Sequence, residues 1–198
     1  MGYHIRILGT STKVPPFKKL QQTVEPAVLE VGDGVEDDWE TLILKHDGGD
    51  EIAVIEKNPV IAGELGADEL EEFIEEVGEY KPASAVDWLS SYLRSVKVIY
   101  AFQFLGGTET ENGFELLQKL YAAIWNSAGG ILQADGEGFS NESGNTILWQ
   151  FSDHVTGDWN VAVLDPDKQW IDFEMDLGNQ KHREAFWRGE VPAGAKLI

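Results

Sequence analysis

The chain has 198 residues, 42% hydrophobic and 25% charged, with no cysteine, so it is long enough to bury a core without covalent staples. Disulfides, thiolate metal sites and cysteine nucleophiles are excluded, which leaves His, Asp and Glu as candidate ligands. The formal net charge of -20 disfavours contact with nucleic acid phosphates and would steer a basic partner towards the protein.

No stretch approaches the ~20 apolar residues of a membrane span, and the opening Met1-Gly-Tyr-His-Ile-Arg-Ile-Leu8 holds no apolar targeting run. Gly2 invites N-myristoylation, but Arg6 stands where that signal wants Ser or Thr. Asn141-Glu-Ser143 fits a glycosylation acceptor, which has no meaning without secretion. The expectation is a cytoplasmic protein with no membrane contact. The acidity is concentrated: from Glu25 to Tyr80 there are 19 acidic residues against Lys45 and Lys57 alone. Acidity also serves solubility, so a solvated face competes with recognition as its explanation.

In chain order, the alternation of Tyr3, Ile5 and Ile7 with polar neighbours predicts a first strand, broken at Gly9. Pro15-Pro16 opens a short helix over Phe17 to Gln22. A strand over Ala27 to Val31 is expected to close at Gly32-Asp-Gly34. Trp39 to Lys45 and Glu51 to Glu56 read as a hairpin around His46-Asp-Gly-Gly-Asp50, and Asn58-Pro59 should end it. His46 beside Asp47 and Asp50 invites a metal, although Asp in a turn ordinarily caps its own backbone.

Asp68 to Val77 predicts a helix with Leu70, Phe73, Ile74 and Val77 inward and five glutamates outward. No lysine lies four residues on from these glutamates, so the buried face alone stabilises it. Pro82 opens the next helix, with a wide apolar stripe from Ala85 to Val96. Val98 to Leu105 is apolar at nearly every position, as in a central strand covered on both faces. Gly106-Gly107 leads into a helix capped by Thr108 or Asn112 with Phe114, Leu117, Leu120, Tyr121, Ile124 and Trp125 inward. Strand, Gly-Gly and helix are not a phosphate loop here: no Gly-Lys-Ser/Thr follows, and Glu109 would repel phosphate.

Beyond Gly129-Gly130 the pattern predicts a hairpin of 133–139 with 146–151 around the loop Ser140 to Asn145. On that register Gly136 and Gly138 make room for Trp149 and Ile147, and Asp135 and Glu137 share the opposite, polar face. Trp159 to Leu164 and Trp170 to Leu177 form a further strand pair around Asp165-Pro-Asp-Lys168. Asn179 to Arg188 closes as a helix, and Val191-Pro-Ala-Gly begins a loose tail. Hairpins with one strand-helix-strand run predict an α+β fold, mainly an antiparallel sheet with helices on one face. A single domain over 1–198 is expected, with Gly78 to Pro82 as the place for any subdivision.

Three constellations carry potential chemistry. Asp135 and Glu137, with His154 as a base and Asp153 or Asp158 nearby, could hold a divalent cation or a small ligand, provided the fold brings them into a cleft. Asp172, Glu174 and Asp176 fall on one strand face and could bind Ca²⁺ or Mg²⁺. An EF-hand over Asp165 to Asp176 fails, since Trp170 stands where glycine is required. Tryptophans near carboxylates could form a sugar site, but seven of them are first of all core. The third constellation is the acidic surface of Glu36, Asp37, Asp38, Glu71, Glu72, Glu75 and Glu76. No nucleophile elbow or His-Glu-x-x-His occurs, and the four histidines are scattered. The sequence therefore points to a non-catalytic module of the bacterial immunity or antitoxin kind, without cofactor, binding a basic protein. The rival is a cation-dependent enzyme or small-ligand binder built on Asp135 and Glu137.

Overall fold

The computed structural model describes residues 3–198, and Gly2 with its acylation reading lies outside them. The fold is α+β, with five helices and a mainly antiparallel set of strands among the described residues. It divides into two compact units, residues 3–68 with 96–130 and residues 69–95 with 131–198.

The first unit holds β1 (His4–Gly9), β2 (Val28–Val35), β3 (Asp38–Lys45), β4 (Glu51–Pro59) and β5 (Val98–Phe104) in the order β2-β3-β4-β5-β1. Every neighbouring pair is antiparallel. Because paired residues share a face, the register sets Leu42, Ile55, Phe102 and Ile5 in one row and Leu44, Ala53 and Phe104 in the next. This apolar face carries α4 (Glu111–Ala128), whose Tyr121 ring meets Phe102 edge-on at 5.2 Å. Helix α1 (Phe17–Thr23) lies against α4, with Leu20 fully buried. In β5, Val98 to Phe102 are buried on both faces, which is why that strand is apolar at successive positions.

Four expectations change in this unit. Strand β2 does not stop at Gly32 but runs to Val35, because the register shifts at Asp33 and Gly34. Gly34 sits at φ 85, and a side chain there would run into the Asp38 carbonyl. A glycine bulge thus continues the strand and leaves Glu36-Asp37 as a two-residue turn. Asn58 and Pro59 do not lie beyond β4 but form its last two residues, since they pair with Ile99 and Val98 of β5. On α4, Phe114 is 49% exposed, while Gly113 and Leu116 face inward. The cap is Thr110, whose Oγ1 accepts from the Gly113 N–H at 3.0 Å, whereas the Thr108 hydroxyl donates to the Ile52 carbonyl.

Helix α2 (Leu65–Glu76) starts before the expected Asp68 and leads along the chain into the second unit. A 3₁₀ turn, Val77–Glu79, closes it. Leu70 and Val77 are buried and the four glutamates Glu71, Glu72, Glu75 and Glu76 exposed, as the periodicity requires. Helix α3 (Ala83–Leu93) follows Pro82 and buries Ala85, Leu89 and Leu93.

The second unit also contains β6 (Ile131–Ala134), β7 (Gly138–Ser140), β8 (Asp158–Leu164), β9 (Trp170–Asp176), β10 (Lys196–Leu197) and α5 (Gln180–Trp187). Strands β8 and β9 pair with Val161 opposite Phe173 and Trp159 opposite Met175. Their apolar face, with Trp149, Leu177 and Phe186, is the unit's core. The expected alternation of β9 is therefore present, with Phe173 and Met175 inward and Asp172, Glu174 and Asp176 on the other face. The tail is not loose: Lys196 and Leu197 pair with Glu174 and Phe173.

The hairpin after α4 differs from its expected form. Residues 133–139 are not one strand; β6 and β7 pair across a turn at 135–137, with Ala134 opposite Gly138. Thr146 makes only isolated bridges to Ser140 and Val161, and Trp149 to Phe151 is not a strand. Gly136 and Gly138 lie at φ 75 and 84, so the turn itself requires them. Gly136 faces open space rather than Trp149, and Gly138 is packed against the Gln150 side chain.

Buried phenols make the protein sensitive to alkali. Burial, with Glu142 adding repulsion, pushes the Tyr92 hydroxyl up to about 12, and burial also raises Tyr100 and Tyr121. A folded-state pKa above the unfolded value of about 10 contributes stability that is complete below that pH and lost as pH rises through the folded value. Stability is expected to fall above about pH 10, with part of the tyrosinate absorbance developing only as circular dichroism collapses. Full tyrosinate absorbance with the fold intact would contradict this.

Candidate functional site: an acidic cleft on the first unit

The hairpin β3–β4 and the start of α2 enclose a cleft of about 530 Å³. Asp38 and Glu40 enter it from β3, Glu56 and Lys57 from β4, and Glu64 from the residue preceding α2. The pairing of Thr41 with Glu56 brings the two strands' acidic residues into one cleft. Gly66 closes the floor, since a side chain there would strike the carbonyl oxygens of Asn58 and Pro59.

Lys57 is the cation of this cleft, and it is already engaged. Its ammonium donates to Asp38 Oδ1 at 2.8 Å and lies 5.6 Å from the centroid of the buried Trp39 ring. The hydrogen bond and charge of Lys57 hold the Asp38 carboxyl below its ordinary pKa. Glu40, Glu56 and Glu64 have no cationic partner among the described residues. With Lys57 paired to Asp38, the remaining carboxylates leave the cleft net negative, which favours a cation.

The acidic residues singled out from sequence divide between the two units. Glu36, Asp37 and Asp38 are exposed in and beside the β2–β3 turn of the first, and only Asp38 lines the cleft. Glu71, Glu72, Glu75 and Glu76 are exposed on α2 in the second. Glu40, Glu56 and Glu64 were not singled out. The turn at 46–50 does not place Glu40 and Glu56, because the register shifts between Leu44 and Lys45 and the pairs set by the turn are not those further along the strands.

Asp135 and Glu137 flank Gly136 in the β6–β7 turn, Asp135 half-buried and Glu137 exposed. Neither lines the acidic cleft, the cleft beside His46 or the cleft between α3 and the β8–β9 turn. His154 and Asp158 are exposed. The 153–155 loop is held from behind by Arg183, which donates to the carbonyls of Asp153 at 2.9 Å and Val155 at 2.7 Å. Asp172, Glu174 and Asp176 share a strand face but have separate partners. Asp172 accepts from Asn141 Nδ2 at 2.9 Å, Glu174 lies 3.6 Å from Lys196, and Asp176 accepts from the Gly178 N–H at 2.7 Å. Among the described residues, no group of three or more His, Asp or Glu side chains is arranged to hold a metal ion.

His46 lines a second cleft of the first unit, about 410 Å³, with Asp47, Asn112, Glu115 and Lys119. Its Nε2 is 3.0 Å from Thr110 Oγ1 and 3.2 Å from the Gly107 carbonyl. The Thr110 hydroxyl donates to that same carbonyl at 2.9 Å and accepts from Gly113. A carbonyl accepts only, so Nε2 carries the proton and donates. The imidazole therefore ties the β3–β4 turn to the start of α4 and does not activate Thr110 as a nucleophile. Lys119 is engaged by Glu115 at 2.8 Å.

No helix among the described residues is long and apolar enough to cross a membrane. No known protein-family model, curated protein or solved structure matches the chain.

Proposed function

We propose that the protein is a non-catalytic interaction module of the immunity or antitoxin kind, acting in the bacterial cytoplasm, whose acidic surface engages a basic protein. The observation that carries this reading is the cleft with Glu40, Glu56 and Glu64 uncompensated and its one lysine paired with Asp38. Exposed carboxylates without partners keep their full field, and that field accelerates encounter with a cationic surface. Glu36 and Asp37 extend the acidic surface beside the cleft, and Glu71, Glu72, Glu75 and Glu76 give the second unit an acidic helix face of its own.

The test is capture by the full tagged chain in parallel with a Glu40→Gln, Glu56→Gln, Glu64→Gln variant. The wild type is expected to retain a partner of basic isoelectric point at low salt, and the variant to lose most of it. Capture of no basic protein, or equal capture by both forms, would overturn the proposal.

A further inference from the structure

We propose that a cleft on the second unit, between α3 and the β8–β9 turn, is a saccharide-binding site for a neutral sugar ring. It encloses about 430 Å³, within the range of small-ligand sites. Helix α3 contributes Ser84, Asp87, Trp88 and Ser91, whose spacing of three and four residues sets them on one stripe. The turn contributes Asp165 and Lys168.

Trp88 is held before any ligand arrives. Its ring stacks on Tyr92 at 5.0 Å and 19°, and Trp170 meets it edge-on at 4.9 Å. A fixed indole loses little freedom on binding. The surrounding polar groups retain capacity. Asp165 uses Oδ1 to accept from the Gln169 N–H at 2.8 Å, and the Ser91 hydroxyl donates to the Asp87 carbonyl at 3.0 Å while keeping its lone pairs. The Asp87 carboxylate and the Lys168 ammonium have no side-chain partner among the described residues. Lys168 also lies at φ 62, the chain's one non-glycine residue with positive φ among those described. That conformation is more readily taken by Gly or Asn, so the turn alone does not explain a lysine there.

The charges select the ligand. Two carboxylates oppose an anion, and the Lys168 ammonium on the same cleft opposes a simple cation. A neutral ligand whose adjacent groups both donate and accept satisfies all three, and vicinal ring hydroxyls do so. A C–H edge of the ring would meet Pro166 and the part of the indole that Tyr92 and Trp170 leave uncovered. This site belongs to the second unit and does not depend on the acidic cleft of the first.

The experiment is an amide-shift titration of the isotope-labelled full chain with glucose, galactose, N-acetylglucosamine and maltose. Tryptophan, spermidine and inorganic phosphate are run beside them as zwitterion, cation and anion. At least one sugar is expected to shift the signals of residues 84–91 and 164–169 and the Trp88 indole N–H saturably. Asp87→Asn should weaken that binding about tenfold, the loss of one hydrogen bond to a charged group, with the rest of the spectrum unchanged. Ser84→Ala provides a second, milder variant. No shift with any sugar, shifts only with the charged probes, or wild-type affinity in Asp87→Asn would overturn the assignment.

Discussion

Phe186→Ala is expected to lower the unfolding free energy by about 3–5 kcal/mol, the usual cost of emptying a buried aromatic site. Helix α5 has eight residues, too few to persist in water by itself. Its buried residues are Ala185 and Phe186. Phe186 is fully buried among Trp149, Phe173, Met175 and Leu177, so it is the main apolar contact through which α5 stays docked. Denaturant unfolding should show the loss, and the environment of Trp187 should change with it. Lys181→Ala, on the exposed side of the same helix, should stay within about 0.5 kcal/mol. Equal effects of the two substitutions would mean that α5 is not held by its aromatic contact.

Arg183→Ala is the second large effect, about 2–3 kcal/mol, because a charged donor is removed and the part-buried carbonyls of Leu177 and Val155 lose their partner. The guanidinium donates to the carbonyls of Leu177, Asp153 and Val155 and lies 5.4 Å from the centroid of the Trp149 ring. One planar group thus joins α5, the end of β9, the 153–155 loop and the aromatic core. Arg183→Lys should recover only part of the loss, since an ammonium cannot reproduce the fork. Hydrogen exchange would localise the damage, with amides near Ser152 to Thr156 opening faster and those of β3 and β4 unchanged. Unaltered exchange in the loop would contradict this role.

What was legible in the sequence follows from how local each element is. Helices α2, α3 and α4 and strands β8 and β9 are long enough for their periodicity to stand above noise, and their buried faces are largely those expected, save Phe114. Strands β6 and β7 have four and three residues, too short for alternation to be told from a turn. Alternation over residues 135–137 therefore reads as strand and puts Asp135 and Glu137 on a strand face, whereas they belong to a turn. The pairing of Lys196 and Leu197 with β9 spans more than twenty residues and leaves no local trace. The extension of β2 depends on a bulge at Gly34, where glycine looked like a stop.

The cleft was legible in part. The acidity of residues 25–80 and the exposure of Asp38 are evident from the chain alone, whereas the register shift between Leu44 and Lys45 keeps the turn from fixing where Glu40 and Glu56 lie. Glu64 could not be placed, because it lines the cleft only through the close approach of Gly66 to the Asn58 and Pro59 carbonyls. The α2 glutamates drew more weight than Glu64 since five of them in one helix are conspicuous in sequence, while a cleft is a tertiary property.

The central claim, that the uncompensated carboxylates of the cleft recognise cationic protein, is tested most directly by calorimetric titration of the full chain with an arginine-rich peptide at low and high salt. The wild type is expected to bind with an affinity that falls as salt rises. The Glu40→Gln, Glu56→Gln, Glu64→Gln variant should be about tenfold weaker or more, roughly 1.4 kcal/mol, with circular dichroism unchanged. Binding equal in the two proteins, or indifferent to salt, would contradict the account.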